Sequence, residues 1–113
     1  MDFNEYQDKA TALATYPDVG SNMVYPALGL AGEAGEVAEK VKKMWRNHST
    51  MDGSDLTAEQ RDAIVKEIGD VLWYAAALAK EIGVKLGAIA VVNLVKLYDR
   101  RERGVIKSQG DNR

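Results

Sequence analysis

One apolar stripe constrains this chain more than any other feature. Between Thr57 and Gly83, the residues Ile64, Ile68, Val71, Leu72, Ala75, Leu78, Ala79 and Ile82 recur at three- and four-residue steps. That is the period of an amphipathic α-helix. Thr57 and Gln60 form a capping box at its start, and Gly83 supplies a stop. A helix apolar along one side must bury that side against other elements. The rest of the chain offers only helices for the purpose. Asn4 and Gln7 read as a capping box opening a first helix over about 4–16, with Phe3, Tyr6, Ala10, Leu13 and Ala14 on its apolar side. Pro17 ends it by disfavouring helix at the residue before. A second helix spans about 22–47, striped by Leu30, Val37, Val41 and Met44, with Ala27 and Ala34 as close-packing positions. A fourth covers about 86–103, with Ile89, Val92, Leu94, Val95 and Leu97 apolar and Gly104 after it. The short connection Gly83-Val84-Lys85 favours antiparallel neighbours.

No segment alternates with the period of a strand. The expectation is an all-α fold: a four-helix bundle forming a single domain over 1–113, with a polar loop near 47–55 and a polar tail at 104–113. A chain of 113 residues makes a thin core for four helices. Assembly through helix–helix contacts, as a dimer or tetramer, is the natural way to bury the remainder.

Two acidic pairs stand inside these helices. Glu33 and Glu36 are three apart in the second helix, and Glu67 and Asp70 three apart in the third. That spacing sets two carboxylates on one helix face, about 5–6 Å apart at Cβ. Packed side by side, the two helices would gather four carboxylates, which repel and raise one another's pKa. A hard cation such as Mg²⁺ relieves that repulsion and takes oxygen ligands. Surface acids usually have a basic residue four positions on. Glu36 with Lys40 and Glu39 with Lys43 fit that pattern, whereas Glu33, Glu67 and Asp70 meet Val37, Val71 and Tyr74. Gly29, Gly32 and Gly35 crowd the same part of the second helix, each costing about 1 kcal/mol of helix propensity relative to Ala. They point to close approach, by packing alone, by a partner helix or by a ligand.

Composition excludes several classes. The net charge of −2 argues against a nucleic-acid polymer as main partner. No apolar run approaches the roughly 20 residues of a membrane span. With no cysteine there is no disulfide, thiolate metal site or Cys nucleophile, which fits a cytoplasmic location. A di-iron bundle wants Glu-x-x-His pairs, and the single histidine, His48, lies in the predicted loop. No Walker loop is present.

The stretches Gly29 to Lys40 (GLAGEAGEVAEK), Glu67 to Tyr74 (EIGDVLWY) and Asn93 to Arg100 (NLVKLYDR) resemble the MazG-like nucleoside triphosphate pyrophosphohydrolases. The closing Gly110-Asp111-Asn112-Arg113 is similar to the tail of short members. The resemblance implies an all-α, Mg²⁺-dependent enzyme, with Mn²⁺ as a substitute, that splits nucleoside triphosphates into monophosphate and pyrophosphate. The family's acidic pattern is Glu-Glu-x-x-Glu, a spacer, then Glu-x-x-Asp. Glu33, Glu36, Glu67 and Asp70 match its last four acids and are the expected metal and catalytic residues, while Gly32 replaces the first Glu.

Carboxylate-held metal would neutralise phosphate charge and lower the pKa of a bound water. Asn93, Lys96 and Arg100, spaced one turn apart, are the expected phosphate rim, with Lys43 and Arg46 weaker candidates. Trp45, Trp73 and Tyr74 are candidates for stacking on the base. Non-standard or pyrimidine deoxynucleotides are among the candidate substrates. Three alternatives stay open: an enzyme like phosphoribosyl-ATP pyrophosphatase, a non-catalytic helical module that binds a nucleotide or a partner, and a purely structural oligomerisation bundle.

Overall fold

A computed structural model describes residues 1–48 and 52–104. The expectation of a polar tail over 105–113, and the centre of the predicted loop at 49–51, lie outside the described residues. Four α-helices follow in order: α1 (Phe3–Thr11), α2 (Val24–His48), α3 (Ala58–Glu81) and α4 (Leu86–Glu102). A 3-10 turn at Gly53–Asp55 precedes α3, and no strand occurs among the described residues. The fold is all-α, as the periodicity requires.

α2 and α3 form the body. Gly29 meets Tyr74, Glu33 meets Asp70 and Lys40 meets Glu67. Partner numbers fall as α2 numbers rise, so the two helices run antiparallel. The Thr57–Gln60 capping box is complete, with Gln60 N donating to Thr57 Oγ1 at 3.1 Å and Thr57 N to Gln60 Oε1 at 2.9 Å. Gly83 ends α3 in the left-handed region at φ +76°. Val84 N then reaches Ala79 O at 2.8 Å and Gly83 N reaches Lys80 O at 3.0 Å, the paired bonds of a Schellman stop.

The first capping box is a correction. Asp2, not Asn4, caps α1, accepting from Glu5 N at 2.8 Å. Asn4 and Gln7 serve a different helix. The α4 N-cap, Lys85, makes no side-chain cap, which leaves the orphan amides of α4 in need of acceptors. Gln7 Oε1 accepts from Leu86 N at 3.0 Å, and Asn4 Oδ1 accepts from Gly87 N at 2.9 Å. Gln7 Nε2 donates to Ala76 O and to Val84 O, each at 3.1 Å. Gln7 is buried with every polar atom engaged, among Ala10, Ala76, Ala77, Ala79 and Leu86. That alanine-lined junction of α1, α3 and the start of α4 is the buried core.

α1 also stops earlier than expected, at Thr11 rather than near Tyr16. Its C-terminal half would have pointed Leu13 at the core, but Leu13 is 76% exposed. The chain instead turns so that Tyr16 reaches α3. The Tyr16 hydroxyl donates to Glu81, and Glu81 also accepts from Gly20 N at 2.8 Å and Asn22 N at 3.1 Å. This three-bond clamp sets the entry to α2. Pro26 lies in the first turn of α2, where its missing N–H costs little, and is fully buried.

Candidate active site

Three of the four paired acids meet partway along the α2–α3 hairpin. One oxygen from each of Glu33, Glu67 and Asp70 can be chosen so that all lie within 4.8 Å of one another. Glu33 comes from α2 and the other two from α3, one turn apart. Glu33 and Glu67 are half-buried and Asp70 is exposed. Partial desolvation pushes the Glu33 carboxyl above its usual range, helped by the charges of Asp70 and Glu67, a hydrogen bond with Glu67 and the nearby charge of Glu36. Glu36 itself is exposed and stands outside the three-oxygen group.

The donor set suits a hard divalent cation. It is all oxygen, without nitrogen or sulfur, and the three oxygens lie within 4.8 Å of one another. Behind desolvation, the charges of Asp70 and Glu67 also raise the Glu33 carboxyl, and a cation would relieve that repulsion. The residues present therefore fit the metal that the sequence pattern implied.

Aromatic side chains form one flank. Tyr74 lies one turn beyond Asp70, and its ring fills the place of a side chain at Gly29: a Cβ built there would sit 2.3 Å from the ring. Gly29 thus answers to packing within the hairpin, whereas Gly32 and Gly35 have nothing within 4 Å of a built Cβ. The Tyr74 phenol is pushed up by burial first, then by Tyr25, Glu33 and Asp70, and it shares a hydrogen bond with Tyr25. Tyr74 is therefore beside the carboxylates.

Trp73 is placed differently. Its indole N–H donates to Ala10 O at 3.0 Å, and its ring meets Tyr16 and Tyr74 edge-on. It ties α3 to α1. Trp45 is far along α2, 54% exposed, on a largely apolar cavity of about 560 Å³ shared with Met44, Leu56 and Ile64. Neither tryptophan joins the acidic group.

The basic residues expected of α4 are also apart. α4 packs against α1 and α3 and has no contact with α2 among the described residues. Asn93 and Lys96 are exposed on it and Arg100 is buried. One chain therefore does not bring them to the Glu33 side of the site. Lys43 pairs with Glu39 at 3.4 Å, as its spacing suggested, and Lys42 does so at 3.0 Å. Lys40 does not take Glu36; its Nζ lies 3.6 Å from Glu67 Oε1.

Three side chains near the site were missed by sequence reasoning. Lys40 is one. Tyr25 is the second, as the partner of Tyr74. Tyr6 of α1 is the third: its phenol is pushed up by burial and then by the charge of Asp70. The i,i+3 spacing exposes the acids but not these partners, which depend on how the helices cross.

The α2–α3 hairpin thus gathers carboxylates of Glu33, Glu67 and Asp70 beside a tyrosine flank, an all-oxygen donor set that could hold a hard cation. The MazG nucleotide pyrophosphohydrolase domain family matches residues 26–105, which takes in α2 from Pro26 onward, α3, α4 and every acidic residue of the site. The chain belongs to that family. It is also 44% identical, over 118 aligned residues and the full length of both chains, to the Gene 37 protein of Mycobacterium phage L5. No solved structure matches it. Among the described residues no helix is long and apolar enough to cross a membrane.

Proposed function

We propose that this chain hydrolyses nucleoside triphosphates in the presence of Mg²⁺, between the α- and β-phosphates, releasing a nucleoside monophosphate and pyrophosphate. The observation that carries the reading is the convergence of Glu33, Glu67 and Asp70 from two helices within 4.8 Å, in a chain of this family. A divalent cation bound there supplies charge neutralisation for the phosphates and acidifies the attacking water.

The chain's own residues do the rest. Glu33, Glu67 and Asp70 hold the cation, and Glu36, one turn along α2, is a further carboxylate on its rim. Gly29 leaves room for the Tyr74 ring to approach α2 closely, beside Asp70. Tyr25 hydrogen-bonds Tyr74, and Tyr6 stands near Asp70 from the side of α1, so that tyrosines border the carboxylates. The reading extends to a homo-oligomer. Gly32, Gly35 and Gly69 have nothing within 4 Å of a built Cβ, and on α3 Val65 and Ile68 are more than half exposed. A second copy covering such a face would complete a core that one chain leaves thin.

The test is a panel of standard and modified nucleoside and deoxynucleoside triphosphates with Mg²⁺ or Mn²⁺, phosphoribosyl-ATP included, resolving pyrophosphate from orthophosphate. Pyrophosphate with monophosphate is expected. Orthophosphate release would overturn the reading.

A further inference from the structure

Lys40 is unassigned by the activity above, and its position gives it a task. It sits on α2 two turns beyond Glu33, on the side facing α3, and its Nζ lies 3.6 Å from Glu67 Oε1. The helix rule pairs it with Glu36, four residues back, yet it reaches across to the other helix. Glu67 is therefore shared: Glu33 hydrogen-bonds it on one side and the Lys40 ammonium approaches it on the other. The Lys40 side chain is more than a third exposed, so it is not locked in place. It borders an open cleft of about 350 Å³, lined also by Lys66, Glu59 and Asp62, that begins at Glu67 and runs toward the start of α3.

We propose that Lys40 is the internal counter-ion of the carboxylate site, and that it becomes a ligand for the terminal phosphates once Glu67 is engaged by a cation. The second half rests on the hydrolase reading; the first does not. An ammonium at this distance competes with a divalent cation for Glu67 and repels it. When the carboxylate is committed elsewhere, the same ammonium loses its partner while remaining at the mouth of the cleft. A lysine is a mobile point charge on a flexible stem, well suited to follow a polyphosphate. Charge-assisted bonds to phosphate oxygens would replace the long contact to Glu67. This is a substrate-binding role, with no proton or bond passing through Lys40.

The proposal is tested by calorimetry at low ionic strength, where the charge effect is least screened. Mg²⁺ alone is titrated into wild type, Lys40→Met, Lys40→Arg and Lys42→Met. Magnesium pyrophosphate is then titrated into each Mg²⁺-saturated protein. Lys42 pairs with Glu39 on an exposed face and controls for net charge. Lys40→Met is expected to bind Mg²⁺ roughly three- to tenfold more tightly than wild type, and magnesium pyrophosphate about tenfold more weakly. Lys40→Arg should restore wild-type values in both titrations, and Lys42→Met should leave both unchanged. In turnover, Lys40→Met should raise KM with little change in kcat, the signature of lost uniform binding. Unchanged or weaker Mg²⁺ binding in folded Lys40→Met would overturn the counter-ion role. Unchanged pyrophosphate binding would overturn the handover. A wild-type chain that splits no nucleotide would remove the hydrolase reading, while both titrations would still decide the role of Lys40.

Discussion

Glu81 and Tyr16 show how single residues fix the entry to α2. The Tyr16 hydroxyl bond, then the Gly20 N–H, hold the Glu81 carboxyl below its usual range. Burial first, and the bond to Glu81 second, push the Tyr16 phenol up to about 12. For Glu81 the folded state favours the charged form. Its contribution is present above the ordinary glutamate range and is lost as pH falls through the lowered folded value. For Tyr16 the folded state favours the neutral form, so its contribution is present below the ordinary tyrosine range and is lost as pH rises toward 12. The near-ultraviolet circular dichroism of the Tyr16, Tyr25 and Trp73 cluster should stay flat between about pH 5 and pH 10 and fall on either side. In Glu81→Gln the acid limb should largely vanish. An unaltered acid limb would show that another carboxylate controls it. At this scale the sequence reveals acids better than their partners. Glu33, Glu67 and Asp70 stand out because Val37, Val71 and Tyr74 follow them at i+4. Lys40 is hidden by the same rule, since Glu36 precedes it by four, and Tyr6 is hidden because it lies on another helix 64 positions before Asp70 (70 − 6).

Among the elements, α1 is the joint of the fold. Its Gln7 satisfies groups from α3, from the α3–α4 connection and from the first amide of α4. Replacing it by Ala would leave the Leu86 N–H without an acceptor in a buried place and open a cavity beside Ala76. The expected loss is about 2–3 kcal/mol, read as a lower midpoint in urea with an unchanged slope. A loss below about 0.5 kcal/mol would contradict the capping role. α3 was readable from end to end because its period, capping box and glycine stop agree. α1 was misread at both ends. Asn4-x-x-Gln7 has the spacing of a capping box, but its side chains are drawn to α4, whose own N-cap residue, Lys85, cannot accept a bond. Nothing local in either segment encodes that exchange.

The whole molecule is spread out. Its radius of gyration is 16.7 Å, against about 13 Å for a compact chain of some hundred residues. Its fully buried apolar side chains are mostly alanines. Much of what the sequence marks as core is exposed: Ile68 on α3 and Val92, Leu94 and Val95 on α4 are each more than half accessible. The periodicity reported these positions as apolar; it could not say whether the surface covering them belongs to the same chain. Sedimentation at micromolar concentration should show a dimer or tetramer, and Ile68→Glu or Leu94→Glu should shift it toward monomer while keeping helical content. A monomeric wild type would contradict that assembly. The measurement that bears most directly on the carboxylate site is Mg²⁺-dependent pyrophosphate release by Glu67→Gln and Asp70→Asn beside wild type, with melting curves for each. Wild type should turn over, and both variants should fall by roughly a hundredfold or more with their folds intact. Undiminished turnover in the two folded variants would place the chemistry elsewhere on the chain.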